Sequence, residues 1–144
     1  LVPNQKKTMV KITLAELELL DKELSQLFEN KLDFPLKFRL ETKLMPLVVK
    51  GIKLLDAKKK ELALANGAQD TGMGYSFETD QEGNIKENQK EPFKKFAEQV
   101  VAYMEDAAND IELDVTFNLS TLRDLKDNSR YYVFSKFVVD DIEA

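Results

Sequence analysis

The chain has 144 residues, a net charge of −5, and no cysteine, histidine or tryptophan. Without cysteine there are no disulfides, thiol nucleophiles or thiolate metal sites. Without histidine there is no triad of the usual kind, no imidazole acid or base, and no conventional zinc or non-haem iron centre.

No apolar stretch approaches the roughly 20 residues of a membrane span, and the N-terminus lacks the apolar core of a signal peptide. A soluble, intracellular protein is expected. The length suits one core. Residues 1–8 read as an N-terminal extension unlike the rest, and 9–144 as a single α+β domain beginning at Met9-Val10-Lys11-Ile12.

Thr13-Leu14-Ala15-Glu16 has the spacing of a capping box and predicts a helix from Leu14. Leu17, Leu20, Leu24, Leu27 and Phe28 continue it at helical spacing to Asn30. The link Lys31 to Phe34 leaves room only for a tight antiparallel return, so a helical hairpin is expected.

Its second arm is the long run from Pro35 to Asn66, with Leu36, Leu40, Leu44, Leu47, Val48, Gly51, Ile52, Leu55 and Leu62 on one stripe. Asp33 is placed to cap it, Pro35 suits its first turn, and Asn66-Gly67 supplies a left-handed exit. Pro46 lies deep inside, where proline costs roughly 3 kcal/mol and kinks a helix. A bent helix or two abutting ones are therefore expected.

Glycines 67, 72, 74 and 83 mark a polar loop region. Within it, Tyr75 to Thr79 and Asn84 to Lys86 flank Asp80-Gln81-Glu82-Gly83 as a β-hairpin would. From Pro92, the residues Phe93, Phe96, Ala97, Val100, Met104 and Ala107 make one face of a third helix ending near Asn109. Ile111 to Leu119 alternates apolar and polar over nine residues, which predicts a strand with one buried face in a small antiparallel sheet. Asp127-Asn128-Ser129 offers a cap for a last helix, Arg130 to Val139.

Charge is distributed unevenly. Eight basic residues between Lys37 and Lys60 face only Glu41 and Asp56, whereas Phe96 to Ala144 holds eleven acidic residues against four basic ones. Either the two segments pack together or an anionic partner docks on the basic helix.

Four constellations could carry chemistry. Asp110, Glu112 and Asp114 share the polar face of the predicted strand and could hold magnesium for phosphoryl hydrolysis, though alternating acids also make an ordinary solvated face. Lys50, Lys53, Lys58, Lys59 and Lys60 could meet an anion, but no aromatic is interleaved to stack bases, so nucleic acid is not expected as a partner. Asp70-Thr71-Gly72 matches the aspartic-protease triplet but follows a helix exit rather than an apolar strand. Tyr131, Tyr132, Phe134 and Phe137 are more rings than one helix face buries, which makes them candidates for a partner or oligomer contact. There is no P-loop, dinucleotide glycine turn or nucleophile elbow.

Three stretches together carry a resemblance. They are Met9-Val10-Lys11-Ile12 leading into a leucine-rich helix, Lys31-Leu32-Asp33-Phe34-Pro35-Leu36-Lys37 leading into a lysine-rich helix, and the strand ending in Asn118-Leu119-Ser120-Thr121-Leu122. Over Met9 to about Val139 the chain resembles a family of small uncharacterised proteins encoded by bacteriophages and prophages of Gram-positive bacteria. The resemblance implies a viral protein acting in the host cytoplasm, and transfers no functional residue.

The expected function is that of a non-enzymatic phage accessory or assembly protein. It would have no cofactor, act through contacts with a phage or host protein or with a second copy of itself, and not engage a membrane. Inhibition of a host defence system, by binding an enzyme or sequestering a nucleotide signal, is one alternative. A metal-dependent phosphoesterase or nuclease is another.

Overall fold

In the computed structural model, which describes residues 9–122 and 131–139, Thr13 begins the first helix as the sequence specifies. Its hydroxyl accepts from the Glu16 N–H at 3.0 Å, and the Glu16 carboxylate accepts from the Thr13 N–H at 3.0 Å. Helix α1 (Leu14–Leu27) buries Leu17, Leu20, Leu24 and Leu27 completely.

The second arm is one helical run in three parts: α2 (Phe34–Arg39), a π turn (Leu40–Leu44) and α3 (Met45–Ala65). The break expected at Pro46 takes the form of that π turn, where the Met45 N–H reaches back five residues to the Leu40 carbonyl. Pro46, with no N–H to give, follows directly. The leucine spacing favours the same solution. Leu36, Leu40, Leu44 and Val48 are buried at intervals of four, and in an α-helix such a row drifts by about 40° per step. The wider π turn absorbs the drift and keeps all four on one side.

Asp33 is the N-cap residue, but its side chain makes no capping hydrogen bond, so the expected carboxylate cap is absent. The exit is as expected. Gly67 has φ 94°, and the Ala68 N–H returns to the Ala63 carbonyl at 3.0 Å, a closure that requires the left-handed residue glycine adopts freely.

The chain divides into two compact units. Of the described residues, one takes in those up to Ile52 and from Asp110 onward, and the other is Lys53–Asn109. The fold is α+β throughout, helices with small two-stranded sheets.

In the first unit, β1 (Val10–Ile12) pairs antiparallel with β4 (Ile111–Leu113), setting Val10 opposite Leu113 and Ile12 opposite Ile111. Gly51 lies against Leu17 of α1 and against Ile111, close enough that a Cβ there would stand 3.0 Å from a Leu17 methyl. The helical hairpin is thus closed by a residue without a side chain.

The nine-residue strand is corrected to two short ones. After β4 the ladder lapses, and β5 (Phe117–Asn118) resumes as the parallel neighbour of β6 (Val138–Val139). The burial alternation survives the break: Leu113, Val115 and Phe117 are buried while Glu112, Asp114 and Asn118 are exposed. The two halves pair with different strands, which a single unbroken ladder could not do.

The last predicted helix is also corrected. Residues 131–139 form a 3₁₀ turn (Phe134–Phe137) followed by β6. Val138 and Val139 suit a strand better than a helix, and α1 takes up the backbone donors just before them. The Glu23 carboxylate, 3% exposed, accepts from the Val133 and Phe134 N–H groups at 3.1 and 2.8 Å. Glu16 pairs with Lys136, and Asn30 Nδ2 donates to the Tyr131 hydroxyl at 3.1 Å. Glu16 and Glu23, seven apart, share one side of α1, Asn30 lies just past its end, and their partners follow in the reverse order, so this segment runs back along α1. Residues 1–8 and the expected cap at Asp127-Asn128-Ser129 lie outside the described residues.

In the second unit, α4 (Lys90–Glu105) follows a 3₁₀ turn (Glu87–Gln89) and starts slightly before Pro92. Ala63, Phe77 and Phe96 centre its core, with Tyr75, Ile85 and Val100 around them. Phe77 meets Phe93 and Phe96 at centroid distances of 5.2 and 5.4 Å, separations at which aromatic pairs attract.

The expected hairpin is rearranged. Tyr75 and Ser76 form β3 and pair with β2 (Gln69–Asp70), not across Asp80–Gly83. The second turn keeps one bridge, Thr79 to Ile85. There the Asp80 carboxylate accepts from the Glu82 and Asn84 N–H groups at 2.9 and 3.0 Å. Among the described residues no helix is long and apolar enough to cross a membrane.

Candidate functional site

The four candidate rings at the C-terminal end do not form a surface. Tyr131, Phe134 and Phe137 are buried, and Tyr132 alone is open, at 65% exposure. Phe134 packs on Phe117 at 5.3 Å, and the Tyr131 hydroxyl is held by Asn30. The aromatic surplus read from the sequence is used by the core, because this segment buries rings on more than one side.

The acidic trio is not gathered either. Asp110 is half-buried while Glu112 and Asp114 are exposed. Among the described residues no group of three or more metal-ligating side chains is placed to hold an ion.

Of the five lysines, Lys50 and Lys53 are exposed. Lys58 pairs with Glu61 at 3.5 Å and stands over the Tyr103 ring at 5.4 Å. Lys59 is also engaged. Lys60 pairs with Asp70 at 2.8 Å.

That contact places the Asp-Thr-Gly triplet at the tip of the β2–β3 hairpin. The Thr71 N–H donates to the Gly74 carbonyl at 3.1 Å, and the Gly72 N–H to the Asp70 carboxylate at 2.8 Å. The Lys60 ammonium, with the Gly72 N–H, holds the Asp70 carboxyl below its usual value. An ionised, exposed aspartate is the reverse of the proton-sharing pair a protease needs.

The surface that does stand out lies on α2. Phe34 is 75% exposed and Phe38 55%, and their rings stack with centroids 5.7 Å apart and planes 25° from parallel. They sit one turn apart, opposite the buried Leu36 and Leu40. The π turn that keeps the leucine row aligned keeps this outer row aligned too, so Thr42, Pro46 and Val49 continue it, all exposed. Lys37 flanks the row on one side, Lys43 and Lys50 on the other, and all three are exposed. Among the described residues none of the three has an acidic partner.

Comparison with family models, curated proteins and solved structures gives no match. Phe34 and Phe38 were legible in principle: in Pro35-Leu36-Lys37-Phe38-Arg39-Leu40 the ring lies midway between two core leucines, which on a helix points it away from them.

Proposed function

We propose that this chain is a non-enzymatic binding protein, a phage accessory or assembly protein that works in the host cytoplasm through protein–protein contacts. The observation carrying the reading is the exposed, stacked pair Phe34 and Phe38. Two phenylalanines held open to water on a helix forgo the roughly 1.5–3 kcal/mol each would contribute if buried, and aromatic anchors of this kind dominate the energetics of interfaces. The phage setting is supported by the resemblance in the helix–link–helix and strand motifs.

The test is affinity capture of the tagged protein from cells, comparing wild type with a Phe34→Ser, Phe38→Ser double variant whose helical circular dichroism is unchanged. Proteins retained by wild type and lost by the variant are the expected result. Virion components among them support assembly, and a host enzyme supports inhibition of a defence system. An identical set from both chains would contradict the reading.

A further inference from the structure

A second helix face on the chain complements the Phe34–Phe38 row. On α4, Ala97 and Ala102 are small, Val101 is 52% exposed, and Glu98 and Glu105 border them. Together these five residues line a shallow apolar depression on one helix. Neither glutamate has a basic partner among the described residues.

The two faces are complementary in chemistry. One presents projecting rings bordered by lysines, and the other a shallow depression bordered by glutamates, none of these charges having an opposite partner among the described residues. Small residues between larger ones are what lets the ridge of one helix enter the groove of another.

We propose that the occupant of the Phe34–Phe38 row is the α4 face of a second copy of this chain. Phe34 and Phe38 of one protomer enter the hollow over Ala97, Val101 and Ala102 of its partner, while Lys37 and Lys43 meet Glu98 and Glu105. Because the two faces differ, the contact is head-to-tail and propagates from copy to copy into rings or filaments. This deepens the protein-binding reading given above and rests on it.

Sedimentation of the full chain over a concentration series tests it, with two charge-reversed variants, Lys37→Glu with Lys43→Glu and Glu98→Lys with Glu105→Lys. All four substituted positions are exposed, and circular dichroism checks that each variant folds. Wild type should associate, less so in high salt. Each variant alone should associate roughly tenfold or more weakly, because like charges then face one another. An equimolar mixture should regain association, since each reversed face finds its complement on the other chain.

Wild type that remains monomeric throughout overturns the proposal, as does a mixture that fails to recover. Variants that associate as well as wild type overturn it too. If wild type is monomeric yet the Phe34→Ser, Phe38→Ser variant loses captured proteins, self-assembly is wrong and the protein-binding reading stands.

Discussion

Phe134 donates its backbone N–H to the carboxylate of Glu23 at 2.8 Å, and Glu23 is the one charged residue buried among those described. The same carboxylate takes the Val133 N–H. A buried carboxylate is stable only when its lone pairs are used. Here it secures the turn from which β6 runs on to pair with β5.

Glu23→Ala should therefore leave two buried donors without partners and cost roughly 3 kcal/mol. Glu23→Gln keeps one acceptor oxygen and should cost about half as much. Urea denaturation of both variants checks this. A Glu23→Ala chain within about 0.5 kcal/mol of wild type, the range of an ordinary surface change, would show that the contact does not hold the segment.

Acid should loosen the same segment at its other end. Burial pushes the Glu16 carboxyl up, but the Lys136 ammonium and the N–H and hydroxyl of Thr13 together outweigh it and hold the group below its ordinary 4.5. A carboxyl depressed in the folded state contributes stability that is fully present above its unfolded value and is lost as pH falls through the lower folded value. Wild type should thus exceed Glu16→Gln in stability near neutral pH, with the gap closing as pH drops below 4.5. Denaturation midpoints of the two chains across that range decide it, and a gap that persists in acid would show that ionised Glu16 is not its source.

Pro46 should be nearly silent when replaced. An interior helix proline costs roughly 3 kcal/mol, so Pro46→Ala would recover much of that if the helix were strained. With the π turn already placed before it, the change should stay within about 1 kcal/mol, read by denaturant midpoint. A gain near 3 kcal/mol would mean the turn does not relieve the proline.

The helices were legible in the sequence because the forces that make them are local. The capping box of Thr13 and Glu16, the leucine rows and the Gly67 exit all lie within a few residues of what they control. The interruption at Pro46 could be foreseen, and its form as a π turn was encoded in the strict four-residue spacing of Leu36, Leu40, Leu44 and Val48.

The β pairings were not legible, because a strand's partner is distant in sequence. Ile111 to Leu119 shows which side chains are buried but not that its halves belong to different sheets. Glu23 reads as a surface residue until Val133 and Phe134 are brought to it from 110 and 111 positions away. The candidate surface was misplaced for a related reason. Ring content drew attention to Tyr131–Phe137, whose rings are mostly core, while the exposed pair sat among core leucines in α2.

Contact between the Phe34–Phe38 face and protein is what the proposed function requires. Its most direct measurement is a photo-crosslinking residue placed at Phe38 in the chain expressed in cells, with Glu82 on the Asp80 turn as the exposed control. Protein adducts are expected from position 38, to a copy of this chain or to another protein, and none from position 82. Absence of any protein adduct at position 38 above the control would contradict it.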